Sequence, residues 1–287
     1  MGFSSGTQAL LDRLRGRDHE RVGEAGRTSL LLHGEVRPHA IVLFHGLSAS
    51  PTQFVRFAHA LHAHGHNVIV PRLPRHGHRD RLSEALAHLT ADELRAFARE
   101  SVELAQGLGD RVIVAGFSIG GLLATWIAER YPIEHAVAIA PFFGISWVPS
   151  RLMGSVSRLL LAIPNRFEWW DPFLREKQMP AHGYPRYATH ALAQAYMLAC
   201  EVMDDAPKGV AAKHLTLVTN ARETAVNNRA VRRLEARLRT SDPARLDHVA
   251  LTGIPFSHDI IEPLRHPKIA ETVFPRLLGL IEDPLGP

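Results

Sequence analysis

The chain has 287 residues, of which 46% are hydrophobic and 22% are charged. These values are ordinary for a folded globular protein and exclude disorder, collagen and coiled coil as descriptions of the whole chain. The 33 basic residues are interleaved with 29 acidic ones, which leaves a net charge of +4. Because no basic stripe stands out, we do not expect a nucleic-acid partner.

The cysteine content and the apolar segments of the sequence indicate the cellular compartment. A single cysteine, Cys200, excludes an intrachain disulfide. The first residues lack the charged and then apolar pattern of a secretory signal, and no uninterrupted apolar segment reaches about 18 residues. We therefore expect a cytoplasmic protein without membrane contact, and the sequence leaves its oligomeric state open.

From residue 28 onward, short β-rich segments alternate with amphipathic helical patterns. This alternation is typical of a mostly parallel sheet with helices on both faces. Because a short stretch containing Pro38 joins the first two strands, we expect them to form an antiparallel hairpin at the sheet edge. The predicted strands are residues 28–34, 40–45, 67–73, 111–117, 135–140, 214–219 and 247–252, and the predicted helices between them include 91–108 and 119–131.

The alternation stops between residues 141 and 213. No strand is predicted there, and two amphipathic helices are expected at 149–163 and 187–203. This quarter of the chain holds 10 of the 20 aromatic residues. Ligands in open α/β sheets bind at the carboxyl ends of strands, where this segment begins. We therefore interpret it as a helical lid over a site, the alternative being an ordinary helical subdomain.

The strongest local motif is Gly116-Phe117-Ser118-Ile119-Gly120, which fits the pattern G-x-S-x-G. It follows an apolar strand and precedes a helix, so the chain must turn sharply at Ser118. The two glycines permit close approach of neighbouring backbone. The motif predicts that Ser118 is a nucleophile presented at a helix N-terminus, where developing negative charge is favoured. The alternative is a glycine-lined turn without chemistry.

A serine nucleophile needs a base and an acid that orients the base. His258 lies directly after the last predicted strand and is our candidate base. Glu223 is the only carboxylate in the loop after strand 214–219 and is our candidate acid. Asp204 and Asp205, at the exit of the lid, remain alternatives for the acid.

The oxyanion of a tetrahedral intermediate needs two donors. One is expected to be the backbone N–H of Ile119, next to the nucleophile. The other is expected to be the backbone N–H of Leu47, because Gly46 permits the turn that aims it inward. We predict no cofactor and no metal: six histidines between residues 59 and 78 lack a cysteine or carboxylate to complete a ligand set.

These motifs together resemble the α/β-hydrolase superfamily, in particular its bacterial carboxylesterases and monoacylglycerol lipases. The resemblance spans roughly residues 28 to 280 and is carried by the sequences VLFHGLSASPTQF, VIVPRLPRHGH, VIVAGFSIGG, LVTNARETAVNN and PFSHDI. It implies a capped serine esterase or lipase, with Ser118, Glu223 and His258 at the family's triad positions and Leu47 and Ile119 at its oxyanion donors. Two positions depart from the family pattern: its usual PGHG reads PRHG here, and its usual acid is aspartate.

The expected fold is therefore an α/β-hydrolase fold with a mostly parallel eight-stranded sheet, helices on both faces and a helical cap inserted after strand 6. We expect an N-terminal segment at 1–27, a core of 28–141 and 213–287, and a cap of 142–212. The expected activity is hydrolysis of small-molecule carboxylic esters with apolar acyl chains. Thioesterase, acyltransferase or C–C hydrolase chemistry with the same triad, or non-catalytic ligand binding, remains open.

Overall fold

The computed structural model describes residues 2–145, 152–177, 182–241 and 243–282. In chain order the strands are β1 (Ser29–Leu31), β2 (Arg37–Phe44), β3 (Asn67–Val70), β4 (Gly109–Phe117), β5 (His135–Ile139), β6 (Phe167–Trp169), β7 (Arg186–Ala188), β8 (His214–Asn220) and β9 (Leu246–Leu251). The helices are α1 (Ser5–Gly16), α2 (Val55–Ala63), α3 (Ala91–Gln106), α4 (Ile119–Arg130), α5 (Met153–Ala162), α6 (Thr189–Asp205), α7 (Asn228–Leu238) and α8 (Pro267–Glu282).

The main sheet has the strand order β1-β3-β2-β4-β5-β8-β9. Within the described residues, neighbouring strands run parallel except β1, which is antiparallel to β3. The central strands are buried along nearly their whole length, since helices cover both faces of the sheet. Apolar residues therefore run almost continuously in these strands, as the sequence shows at 112–115 and 136–140.

Two hydrophobic cores lie on opposite faces of this sheet. On one face, α2 and α8 contribute Phe57, Leu61 and Leu277. On the other face, α3 and α4 contribute side chains such as Phe97 and Leu123. Burial of these aromatic and aliphatic side chains is the main favourable contribution to folding, about 25 cal/mol per Å² of apolar surface. The resulting sheet is fixed from both sides, so its strand ends form a rigid base for the loops that follow them.

The predicted architecture, a mostly parallel sheet with helices on both faces, is confirmed. The strand count differs: within the described residues the main sheet has seven strands instead of eight. The long segment 142–212, called the insertion below, follows β5, the fifth strand, and not a sixth strand. The seven segments that were predicted individually correspond to these seven strands, and the chain ahead of β1 forms the helix α1 instead of a further strand. The side chain of Ser4 caps α1 by accepting a hydrogen bond from Thr7 N–H.

The predicted hairpin of the first two strands is wrong. β1 pairs with β3, and β3 separates it from β2. Asn67, at the start of β3, explains the crossing: its Oδ1 accepts from His33 N–H at 2.8 Å and its Nδ2 donates to Glu35 O at 2.7 Å. These bonds hold the connection against β3, while both edges of the buried strand β2 are taken by parallel neighbours.

The prediction that no strand lies between residues 141 and 213 is also wrong. β6 and β7 form a two-stranded antiparallel sheet there. Each has three residues, which is too short for alternation to be visible in the sequence. The predicted helix 187–203 is observed as α6, shifted by two residues. The predicted helix 149–163 is observed as α5, and its residues 149–151 lie outside the described residues.

The apolar face of α5 packs inward only in part. Leu159 is 63% exposed, and Leu152 and Ile163 at its two ends are exposed as well. In the described part of the chain, no helix combines the length and apolar character needed to cross a membrane.

Candidate active site

Ser118 stands at the sharp turn between β4 and α4. Its φ of 56° and ψ of −112° are a strained conformation for a residue with a side chain. The two motif glycines allow this turn: a Cβ on Gly116 would lie 2.1 Å from Gly120 O, and a Cβ on Gly120 would lie 2.0 Å from Phe44 O. The turn leaves Ser118 8% exposed, at the carboxyl end of a central strand.

His258 lies in the loop after β9 and reaches Ser118. Its Nε2 is 3.0 Å from Ser118 Oγ, so the hydroxyl can donate to the imidazole. The ring packs on Phe117, with 4.9 Å between the ring centroids. The predicted nucleophile and the predicted base are thus in hydrogen-bond contact although 140 residues separate them in sequence.

Glu223, in the loop after β8, is the carboxylate that contacts His258. Its Oε2 lies 3.1 Å from His258 Nδ1, which donates to it. Its Oε1 accepts from the backbone N–H groups of Thr224 and Ala225, both at 2.8 Å. Burial raises the pKa of Glu223, but the hydrogen bond and charge of His258 and these backbone N–H groups outweigh it and hold the pKa below its usual value. The carboxylate is therefore ionised at neutral pH.

The alternative acids lie elsewhere. Asp205, at the end of α6, forms ion pairs with Arg130 and with Lys208, the latter at 2.6 Å. Asp204 is exposed on the same helix. Of the three carboxylates considered from the sequence, Glu223 is the one placed against the imidazole.

Of the two predicted oxyanion donors, Ile119 follows Ser118 in the chain, and Leu47 lines the same cavities as Ser118. Ile119 is the first residue of α4, and the first N–H groups of a helix have no intrahelical acceptor. Leu47 lies between two backbone groups that are held in place: Gly46 N–H donates to Gln53 Oε1 at 2.9 Å, and Ser48 N–H donates to His76 Nε2 at 3.1 Å.

His76 fixes the loop that carries Leu47. Burial lowers the pKa of His76 to about 4, so the ring is neutral near pH 7. Its Nδ1–H donates to Pro74 O at 2.8 Å, which leaves Nε2 as the acceptor for Ser48 N–H. Arg75 adopts a φ of 68° beside it. Although Arg75 departs from the family motif, His76 still accepts a hydrogen bond from Ser48 N–H in the loop that carries Leu47.

Two cavities meet at Ser118. One has a volume of about 430 Å³ and is lined by the loops of Leu47 and His258, with polar side chains such as Gln53 and Arg265. The other has a volume of about 190 Å³ and is mainly apolar, with walls from Phe142, Leu192 and other residues of the insertion. Both contain Ser118, His258 and Trp170 in their linings.

A buried polar cluster lies behind His258. Burial and the nearby carboxylate of Glu262 raise the pKa of Asp259. Gln53 Nε2 lies 3.5 Å from Asp259 Oδ1, and His182 of the insertion lies 3.1 Å from Glu262 Oε2. This cluster connects the His258 loop to the Leu47 loop and to the insertion.

Sequence reasoning missed Gln53, His76 and Trp170. His76 carried a signal, because it occupies the histidine position of the motif PRHG. Gln53 lies in the motif VLFHGLSASPTQF, but nothing in that motif indicates its contact with Asp259, and Trp170 carried no signal. Within the residues that the structure describes, no group of three His, Cys, Asp or Glu side chains is arranged to hold a metal ion.

A serine at the strand-to-helix turn of a parallel sheet, facing a histidine from the last strand's loop, defines the α/β-hydrolase class of fold. The comparison with protein families agrees: the alpha/beta hydrolase family model matches residues 41–262. The protein belongs to this family. No curated protein matches the chain.

Solved structures give the same fold. The chain is similar to a metagenome-derived lipolytic enzyme from a study of LipS and LipT, with a TM-score of 0.66, 16% identity and coverage of 91% of this chain and 98% of that one. It is similar to a monoacylglycerol lipase of Paleococcus ferrophilus, with a TM-score of 0.64, 19% identity and coverage of 88% of this chain and 98% of that one. It is also similar to a monoglyceride lipase of Saccharomyces cerevisiae, with a TM-score of 0.65, 14% identity and coverage of 89% of this chain and 90% of that one. At these identities the likeness shows the fold alone.

Proposed function

We propose that the protein hydrolyses carboxylic esters with apolar acyl groups through an acyl-enzyme on Ser118. The observation that carries the proposal is the continuous chain of hydrogen bonds from Ser118 Oγ through the His258 ring to Glu223, at 3.0 and 3.1 Å. A hydroxyl becomes a useful nucleophile when a base accepts its proton as it attacks.

In the acylation step, Ser118 Oγ bonds to the acyl carbon while His258 Nε2 takes the hydroxyl proton. The carbonyl oxygen becomes an oxyanion that accepts from the N–H groups of Leu47 and Ile119. The intermediate then collapses, the bond from carbon to the alcohol oxygen breaks, and His258 returns the proton to that oxygen. The products are the free alcohol and an ester on Ser118.

In the deacylation step, a water molecule replaces the alcohol. His258 takes a proton from the water as its oxygen attacks the acyl carbon, and then returns that proton to Ser118 Oγ as the bond to serine breaks. The acid is released and the enzyme is restored. Glu223 stays ionised throughout and stabilises the imidazolium that forms in each step.

The apolar cavity supports the acyl part of the proposal. Its walls come from Phe142, Tyr187, Leu192 and Val226, which favour a hydrocarbon chain over a charged group. Three of these residues lie in the segment 142–212. We therefore propose that this segment acts as the cap of the active site, between core segments 28–141 and 213–287.

Hydrolysis of p-nitrophenyl esters by Ser118→Ala tests the proposal. We expect the variant to lose about 10⁶-fold in kcat, as removal of a triad serine does in other hydrolases. Ser101→Ala is the matched control, because Ser101 is equally buried but bonds Phe97 O on α3. Ester hydrolysis that survives in Ser118→Ala, or that is absent from the wild-type protein, would contradict the proposal.

A further inference from the structure

Trp170 stands between the two cavities that meet at Ser118. It follows β6 in the insertion and lines both the larger cavity of about 430 Å³, which is the more polar of the two, and the apolar cavity of about 190 Å³. Of the residues that line both cavities, Trp170 is the one that comes from the insertion.

The two cavities suit different halves of an ester. The apolar one is walled by Ile145, Tyr187 and Ala195, among others, and suits a hydrocarbon chain. The polar one is lined by the loop that carries His258, including Arg265 and His266. We place the alcohol half there because the lining of this cavity includes polar side chains such as Gln53 and Arg265.

Trp170 is fixed by three contacts, two of which are made by its indole. Its Nε1–H donates to Ser48 Oγ at 2.7 Å, and its backbone N–H donates to Pro185 O at 3.2 Å. Its ring packs on Tyr187 with 4.4 Å between centroids. These contacts place a large side chain of the insertion against the loop that carries Leu47.

Ser48, the acceptor, is itself held firmly. Its N–H donates to His76, and its carbonyl accepts from Tyr184 N–H at 2.7 Å. Its φ of 62° fits a residue whose conformation is imposed by its surroundings. The hydrogen bond from Trp170 therefore ends on a rigid group and anchors the indole as a wall.

We propose that Trp170 determines acyl specificity: it closes the apolar cavity against the polar one and restricts the substrate to esters that join a short apolar acyl group to a polar alcohol. This inference rests on the proposed ester hydrolysis at Ser118. The indole blocks a longer chain, which has to leave the apolar cavity across its ring.

The test compares kcat/KM for p-nitrophenyl laurate with kcat/KM for p-nitrophenyl butyrate in three variants. Trp170→Ala removes the wall, and we expect the laurate-to-butyrate ratio to rise about tenfold or more, since a few methylenes in an apolar pocket are worth such factors. Trp170→Phe keeps a ring but loses the donor to Ser48, so we expect a rise in the same direction. Phe173→Ala is the matched control: Phe173 lies on the same segment but is 94% exposed.

The outcomes separate this inference from the proposed function. Labelling with a fluorophosphonate probe first shows that each variant is folded and has a reactive serine. Labelled Trp170→Ala and Trp170→Phe proteins that both keep the wild-type ratio would overturn the role of Trp170 while leaving ester hydrolysis intact. A rise of similar size in Phe173→Ala would overturn it too. A wild-type protein that hydrolyses neither ester would instead contradict the proposed function.

Discussion

At the scale of the residue, hydrogen bonds hold both carboxylate oxygens of Glu223. One carboxylate oxygen accepts from His258 and the other from consecutive backbone N–H groups at Thr224, Ala225 and Val226. The backbone bonds fix the direction of the carboxylate, so the extra methylene of glutamate does not loosen it. The side chain is 1% exposed, which keeps water away from the bond to His258.

Glu223→Gln should preserve the size of the side chain and remove its charge. The amide cannot stabilise the imidazolium, and its NH₂ favours the wrong tautomer of His258. We expect kcat to fall about 10⁴-fold, as a carboxylate-to-amide change does in a triad protease. Steady-state kinetics with a p-nitrophenyl ester measures this, with Glu103→Gln on the exposed face of α3 as the control. Loss of less than about tenfold would contradict the role of Glu223 as the acid.

The triad candidates could be predicted from the sequence because each stands in a recognisable position: a G-x-S-x-G turn, a lone carboxylate after one strand, and a histidine after the last strand. Trp170 could not be predicted, since its partner Ser48 lies 122 residues away. Such a contact depends on how the insertion returns over the sheet, and no local pattern encodes that path.

At the scale of the element, α4 is joined to α6 by a cluster of charges. Arg130 of α4 pairs with Glu201 of α6 at 2.9 Å and with Asp205. Glu129, next to Arg130, is buried, and its Oε1 has no hydrogen-bond partner among the described residues. Burial raises the pKa of Glu129 to about 8, although Arg130 lies 2.8 Å from its other oxygen. The carboxyl group is therefore protonated at neutral pH.

The raised pKa of Glu129 makes stability fall as pH rises. The folded state binds the proton of Glu129 more tightly than the unfolded state does. The contribution of this proton to the free energy of unfolding is therefore fully present below the unfolded pKa of 4.5 and is lost as pH approaches 8. The loss is at most about 1.4 kcal/mol per pH unit within that window. Glu129→Gln cannot ionise at this position. We therefore expect the variant to match the stability of the wild-type protein near pH 4.5 and to be more stable than the wild-type protein near pH 8.

Urea unfolding of both proteins at the two ends of this pH window measures the difference. Groups that titrate in both proteins cancel in the comparison. A difference between wild type and Glu129→Gln that stays constant with pH would show that Glu129 is already ionised in the folded protein, contrary to the expectation.

Long elements could be predicted and short ones could not. The helix α3 and the strand β4 show clear periodicity and were located within a few residues. β6 and β7 have three residues each and give no pattern. The partner of β1 could not be predicted because it depends on Asn67, whose side chain holds the connection between β1 and β2 against β3.

At the scale of the whole molecule, the parallel sheet brings the candidate triad together. β4, β8 and β9 end at the same edge, and the loops that follow them carry Ser118, Glu223 and His258. The insertion after β5 adds Trp170 to the lining of the cavity at this edge. Three residues that are distant in sequence therefore lie close in space because parallel strands end at one edge. The alternation of strands and helices in the sequence already predicted this parallel arrangement.

The proposed chemistry requires that the imidazole of His258 makes one serine hydroxyl nucleophilic. The most direct measurement is mass spectrometry of peptides after reaction with a fluorophosphonate probe. We predict a single adduct on Ser118, absent in Ser118→Ala and formed far more slowly in His258→Ala. A folded protein that stays unlabelled, or that carries the adduct on another residue, would contradict the account.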